Sequence, residues 1–290
     1  MKKALLALMA ALTLLPVQLS AGKKPSELKV ISYNIRLGSA DDGTNSWTYR
    51  AMASVEMIND QKPDIFGLQE AMDEGCRGPM GQTQTLVEYC PGYKCVGIGR
   101  EDGKEKGEKM AIFWNKKTVK MIKWGTFWLS ETPDEPSMGW DAACFRTATW
   151  ALMKDKRSGK KFYYVNTHLD HVGWEARKKG LALIVERIAA INPKGYPMVL
   201  TGDFNMTIDR PEFDDLKKIM TNARESAYKT DHVKTFHNWG KVKGDDKDYI
   251  IDFIWYSGFS SCPEYETITE EYSGRKFISD HYPIKATLIF

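Results

Sequence analysis

The sequence predicts an α/β fold in which two β-sheets pack face to face and helices cover their outer sides. Candidate strands outnumber candidate helices, and hairpin-like neighbours mix with strand–helix–strand units. No low-complexity linker or internal repeat divides the chain, so one domain is expected. A single doubly wound parallel sheet fits that mixture less well.

Taken in order, the chain opens with Lys2 and Lys3, an apolar run from Ala4 to about Leu15, and small residues Ser20 and Ala21. That reads as a leader, residues 1–21, with cleavage after Ala21. The apolar run is short for a membrane span, and no cysteine at its end offers a lipid attachment point. A soluble exported protein, periplasmic or secreted, is the expectation, with no transmembrane segment left in residues 22–290.

The mature domain begins with a β-branched strand, Leu28 to Arg36. A helix is expected from Arg50 to Gln61, marked by Met52, Val55, Met57 and Ile58, then a strand at Ile65 to Leu68 and a helix at Gln82 to Tyr89. Tyr93 to Ile98, Met110 to Trp114 and Thr118 to Phe127 read as strands, with the charged segment Arg100 to Lys109 as a loop. Phe145 to Met153 and Phe162 to Val165 alternate as strands. Glu175 to Ile191 carries Leu181, Ile184, Val185, Ile188 and Ile191 on one helical stripe, and Asn192-Pro193 ends it. A buried strand, Met198 to Leu200, then runs into Thr201-Gly202-Asp203-Phe204-Asn205. Tyr249 to Tyr256 and Ile284 to Phe290 close the set of strands.

Removing Lys2 and Lys3 leaves 39 basic against 38 acidic residues. A near-neutral chain lacks the basic excess usual for gripping a long polyanion. The five cysteines are scattered, with no Cys-x-x-Cys pair to suggest zinc. Cys90 and Cys95 flank Pro91-Gly92, a turn that leaves either a bridge or two free thiols open.

Several strands end in strongly hydrogen-bonding or metal-binding side chains, which core packing does not require. They are Asn34, Glu70, His168, Asp203 with Asn205, Asp252, and Asp280-His281. Asp252 lies in an otherwise apolar strand, where an unpaired carboxylate costs several kcal/mol, so it needs a partner. His281 suits, because a buried acid fixes an imidazole's tautomer and orientation. Glu70 and Asp280 offer hard oxygen ligands, with Asn34 a neutral one, and such sets bind Mg2+ alongside water and phosphate.

This ordered set, with Gly202-Asp203-Phe204-Asn205 and Ser279-Asp280-His281, resembles the endonuclease/exonuclease/phosphatase superfamily (deoxyribonuclease I-like) from about Leu28 to Phe290. The resemblance implies a four-layer α/β/β/α sandwich of two mixed, mainly antiparallel sheets, with a Mg2+ site (Mn2+ as substitute) at one edge. It implies that Glu70 is the principal metal ligand, with Asn34 and Asp280 near it. Asp203 would activate the attacking water, Asn205 would hold a phosphate oxygen, and His281, backed by Asp252, would contact the scissile phosphate. His168 and the metal remain competing candidates for handling the leaving group. Phosphate-ester hydrolysis needs these same parts. The chain has neither a Gly-rich loop followed by Lys-Ser/Thr nor a Gly-x-Ser-x-Gly elbow, which argues against a nucleotide motor and a serine hydrolase.

Arg146 follows an aromatic-rich segment, Trp124 to Cys144, and either grips a phosphate or pairs with an acid. Those aromatics either stack on a substrate or pack a loop. His171, Trp174 and Arg177 trail His168 toward the same rim, and the Asp41, Asp42, Asn45 loop has no assigned place. The expectation is an exported Mg2+-dependent phosphoesterase, acting on a phosphodiester or phosphomonoester by direct attack of water. Hydrolysis of DNA or RNA is the alternative; a non-catalytic binding module and a hydrolase of non-phosphate substrates fit less well. A monomer without an obligate protein partner is expected.

Overall fold

Alternate residues of the first strand enter different cores. Leu28 and Val30 face one apolar layer, and Ile31 and Tyr33 face another. The same split recurs at Ile65 and Phe66, and at Val199 and Leu200. A strand buried on both faces must be covered twice, and that requirement dictates the architecture.

The computed structural model describes residues 26–290, so the expected leader lies outside the described residues. In chain order the elements are β1 (Glu27–Asn34), α1 (Trp47–Gln61), β2 (Ile65–Gln69), α2 (Gln82–Tyr89), β3 (Tyr93–Val96), β4 (Ile112–Asn115), β5 (Val119–Trp128), β6 (Thr147–Asp155), β7 (Lys161–His168), α3 (Trp174–Ile191), β8 (Met198–Asp203), α4 (Asp214–Ile219), β9 (Thr221–Asn222), α5 (Ala223–Ser226), β10 (Asp252–Ser257), β11 (Ser261–Thr267) and β12 (Ile284–Ile289). They form two six-stranded sheets, ordered β11-β12-β1-β2-β4-β3 and β5-β6-β7-β8-β10-β9. Each sheet is antiparallel except for one central parallel pair, β1 with β2 and β7 with β8. Each parallel pair is joined by a crossover helix, α1 or α3, as parallel strands require.

Three apolar layers separate the four structural ones. The central layer joins Leu28, Val30 and Ile112 of the first sheet to Met153, Tyr164 and Ile254 of the second. Beyond the first sheet, Ala53, Met57 and Ile58 of α1 pack on Ile31, Tyr33 and Phe66. Beyond the second, Leu181, Ile184 and Ile188 of α3 pack on Val165 and Leu200. The α/β/β/α sandwich and its mixed sheets are therefore as expected. No helix among the described residues is long and apolar enough to cross a membrane.

The departures from expectation have local causes. Met52 is exposed, because the buried face of α1 runs instead through Trp47, Arg50, Ser54, Met57 and Ile58. Asp252 does not interrupt an apolar strand; it is the first residue of β10, in register with Asp203. The strand at Met198 continues to Asp203 and stops there, and Asn205 adopts a left-handed φ of 49°. Cys90 and Cys95 are both free thiols.

Candidate active site

Both parallel pairs deliver their C-terminal ends to one edge of the sandwich. Asn34 closes β1, Glu70 follows β2, His168 closes β7 and Asp203 closes β8. Close approach of the backbones makes this possible. A Cβ on Gly202 would meet the Thr167 carbonyl oxygen at 2.5 Å, and one on Gly67 would meet Asn166 Oδ1 of the other sheet at 2.5 Å.

Asn34 is the hub. Its Nδ2 donates to Glu70 Oε1 and to Asp203 Oδ2, each at 3.0 Å, and lies 3.5 Å from His281 Nε2. Its Oδ1 accepts from the Arg36 N–H at 3.0 Å. Asn34 thus presents its amide nitrogen to the acids, and as oriented its oxygen does not face Glu70. Glu70 Oε2 accepts from the Leu37 N–H at 2.8 Å. Asp280 Oδ2 lies 3.6 Å from Arg36 Nη1, and Asp42 grips the same guanidinium at 3.0 and 3.1 Å. The unplaced loop therefore has a function: it holds Arg36 beside Asp280. Buried Arg50 supports that turn from α1, donating to the carbonyls of Ile35, Arg36 and Asn45.

On the other side, His281 Nδ1 meets Asp252 Oδ2 at 2.9 Å, the expected dyad, and its Nε2 lies 3.7 Å from Asp203 Oδ2. Burial opposes charge on this imidazole, yet the Asp252 and Asp203 carboxylates hold it up at about 10. His281 is an imidazolium at neutral pH. Asp203 is pushed up to about 7 by burial and by Asp252. His168 Nε2 lies 3.5 Å from Asp203 Oδ2 and 3.1 Å from Asn205 Nδ2, whose other donation goes to the Leu169 carbonyl. Burial, with Arg146 and Arg100 nearby, holds His168 well below the usual histidine range, so it is neutral. Asp280 is raised by burial, with Glu70 adding repulsion.

Arg146 is buried and lines the cleft. Its Nε donates to Asp170 Oδ2 at 3.2 Å, and its Nη2 donates to His171 Nδ1 at 2.9 Å. Asp170 is thus a positioning residue without an early signal, because the contact closes across a loop. Burial notwithstanding, the Gly173 and Val172 N–H groups and Arg146 hold Asp170 at about 2. Phe127 and Trp128 are buried in the fold, and Trp124, Trp140 and Trp150 do not line the cleft. Trp124, Phe127 and Trp150 pack against the apolar cores instead. Arg177 donates to the Asp170 carbonyl and Trp174 to Glu212, both away from the cleft.

The cleft has a volume of about 480 Å³ and is lined by Glu70, Arg146, His168, His171, Asp203, Asn205, Asp280 and His281. Arg100 and Glu108 line it too, from a segment read in the sequence as a bare charged loop. The residues fit a divalent cation. Glu70, Asp280 and Asp203 line one cleft, and burial raises two of the three carboxyls, with Asp252 adding to the shift of Asp203 and Glu70 to that of Asp280. Asp203, Asp252 and His281 also lie close enough to share an ion. Within that trio His281 Nδ1 bonds Asp252 Oδ2 directly, while Glu70 and Asp280 line the cleft as further oxygen donors.

Comparison with known proteins agrees with this geometry. The model of the Endonuclease/Exonuclease/phosphatase family matches residues 31–281. A Bacteroides vulgatus endonuclease/exonuclease/phosphatase of known structure is 36% identical, with a TM-score of 0.82 over 91% of this chain and 98% of that one. A Bacteroides thetaiotaomicron mannosyl-6-phosphatase is 33% identical, with a TM-score of 0.83 over 91% and 100% of the two chains. An uncharacterized protein of Acanthamoeba polyphaga mimivirus is 29% identical over 89% of this chain and 98% of its own length.

Proposed function

The chain belongs to the endonuclease/exonuclease/phosphatase family of metal-dependent phosphoester hydrolases, and we propose that it is a Mg2+-dependent enzyme hydrolysing a small phosphate monoester by direct attack of water. One observation carries this reading. Asp203 is held at the cleft edge by Asn34 at 3.0 Å, between His168 and His281, and opposite Glu70. An acid pushed up to about 7 is matched to proton abstraction near neutral pH. The near-neutral charge and the 33% identical mannosyl-6-phosphatase favour a small monoester over a nucleic acid.

Glu70 and Asp280 would hold the cation, which when bound supplies charge neutralisation on the phosphoryl and leaving oxygens. The remaining steps belong to the chain's own side chains. Asp203 takes a proton from the attacking water as that water's oxygen bonds to phosphorus and the ester P–O bond breaks, and the departing alkoxide takes its proton from solvent water. The His281 imidazolium, fixed by Asp252, donates from Nε2 to a phosphoryl oxygen, and the Asn205 amide and Arg146 guanidinium add donors. Neutral His168 has its Nε2 engaged by the Asn205 amide, so it orients Asn205 and does not protonate the leaving oxygen.

The basic n-region and apolar run at residues 2–15 support export. The reading is tested with purified protein stripped by EDTA. Hydrolysis of p-nitrophenyl phosphate should vanish and return with Mg2+ or Mn2+. Activity that ignores the chelator removes the metal from the proposal.

A further inference from the structure

A second cavity, of about 390 Å³, opens on the outer side of the second sheet where the chain leaves α3. It is far from the catalytic cleft. β7 runs from Lys161 at this cavity to His168 at the cleft, about 20 Å at the rise of a strand. The side chains that give the cavity its character are Lys123 of β5, Trp150 of β6, Lys161 and Tyr163 of β7, and Lys194 and Tyr196 of the loop after α3.

The aromatic residues make the floor. A Cβ at Gly125 would meet three atoms of the Trp150 indole at 3.0 to 3.1 Å, so the ring lies against the bare backbone of β5. The Trp150 and Tyr163 centroids are 6.1 Å apart, with the rings tilted at 45°. All three aromatic residues pack on the core beneath α3, yet Trp150 and Tyr196 are only half-buried and keep ring surface toward the cavity.

The ammonium groups make the rim. Lys123 Nζ lies 5.4 Å from the Trp150 centroid, and Lys161 Nζ lies 5.8 Å from that of Tyr196. Lys123, Lys161 and Lys194 are all exposed, and no salt bridge among the described residues engages any of them. No acid among the described residues lines the cavity. The carbonyl end of α3 sets only roughly half a unit charge against the three lysines. In a chain that is near neutral as a whole, this positive excess is local.

We propose that this cavity binds an aromatic anion of about mononucleotide size, a flat ring system carrying a phosphate or a carboxylate. The ring lies on Trp150 and Tyr196, and the anionic group accepts from the lysine ammoniums. The volume suits one small molecule. Other chemistries use only part of the site. A bare inorganic anion leaves the aromatic floor uncovered, a neutral ring leaves the ammoniums unmatched, and a cation meets three like charges.

The test is calorimetric titration of the full chain in EDTA, which involves no turnover and so does not depend on the phosphoesterase reading. The probes are AMP, naphthoate, adenosine and inorganic phosphate. At least one of the two aromatic anions should bind about 10-fold more tightly than adenosine and inorganic phosphate do. AMP alone would assign the site to nucleotides, naphthoate alone to aryl acids, and both to aromatic anions in general; each supports the site. Lys161→Glu/Lys194→Glu changes two exposed side chains remote from the cleft and should weaken that binding at least about 10-fold. Trp150→Leu, in protein still folded by circular dichroism, should weaken it by about the same factor. If Trp150→Leu does not fold, the lysine variant decides alone. Failure of both aromatic anions to bind overturns the site, as does adenosine or inorganic phosphate binding equally well. Wild-type affinity in the lysine variant overturns it too, because the probe then sits elsewhere.

Discussion

The two halves of this molecule share a plan and differ in chemistry. β1–α1–β2 and β7–α3–β8 are both parallel pairs at the centre of a sheet, both closed by a crossover helix, and both end at the cleft. Each contributes one decisive acid, Glu70 or Asp203, and a single Asn34 amide bridges the two at 3.0 Å each. Their protonation nevertheless diverges. Burial would raise Glu70, but His281, Asn34, Arg36 and the Leu37 N–H outweigh it and hold the carboxyl below its usual range. Asp203 is pushed up instead, by burial and by Asp252, which faces it across the β8–β10 ladder. Environments that drive two carboxyls apart suit them to the different roles proposed above, Glu70 ionised as a cation ligand and Asp203 as a proton acceptor.

That difference predicts unequal consequences for equal substitutions. Asp203→Asn removes the base and should lower kcat by about 10³- to 10⁴-fold, with no recovery at high Mg2+. Glu70→Gln should instead weaken Mg2+ binding by about 10- to 100-fold and recover much of its kcat as Mg2+ is raised. Activity titrations against Mg2+ on both variants check this. Recovery of the Asp203 variant, or none for the Glu70 variant, would break the division of labour.

A subtler effect concerns pH. Asp203 must be ionised to act, so kcat/KM should rise with pH through an apparent pKa at or below about 7, since a bound cation favours the carboxylate. His281 must be protonated, so activity should fall as pH passes about 10. Asp252→Asn removes the charge that raises both groups. Both limbs of the profile should then move to lower pH, with kcat at pH 7 reduced about 100-fold. Limbs that stay in place would show that Asp252 only orients the ring.

Much of this was legible in the chain because strand ends announce themselves. Asn34, Glu70, His168 and Asp203 each follow an apolar run, where a polar residue of that kind has no place in a core, and His281 stands just before the last strand. Their meeting point follows from the parallel pairs. Arg100 and Glu108 were not legible, because they sit among other charges in a segment without apolar rhythm. Only its pairing with Ala71, a contact distant in sequence, folds that segment into the cleft. Asp170 and Asp42 escaped for a related reason. Each looks like a loop acid, and its value lies in the arginine it holds.

The smallest expected effect tests how the halves are joined. Asn166 is fully buried between the sheets; its Oδ1 accepts from Gln69 Nε2 at 2.6 Å and Thr201 Oγ1 at 3.1 Å, and its Nδ2 donates to the Leu68 carbonyl at 2.7 Å. These bonds tie β7 and β8 to the strand that leads directly to Glu70. Asn166→Leu would leave the Gln69 amide short of a partner in a dry layer, at a cost of about 2 kcal/mol, lowering Tm by roughly 4–8 °C. The backbone ladders that aim Glu70 and Asp203 remain, so kcat should fall less than about tenfold while the Mg2+ requirement is unchanged. A loss of activity as large as that of Asp203→Asn, in a variant that is still folded by circular dichroism, would mean that the two units owe their alignment to this one amide. Unchanged stability would mean that the apolar layer alone holds them together.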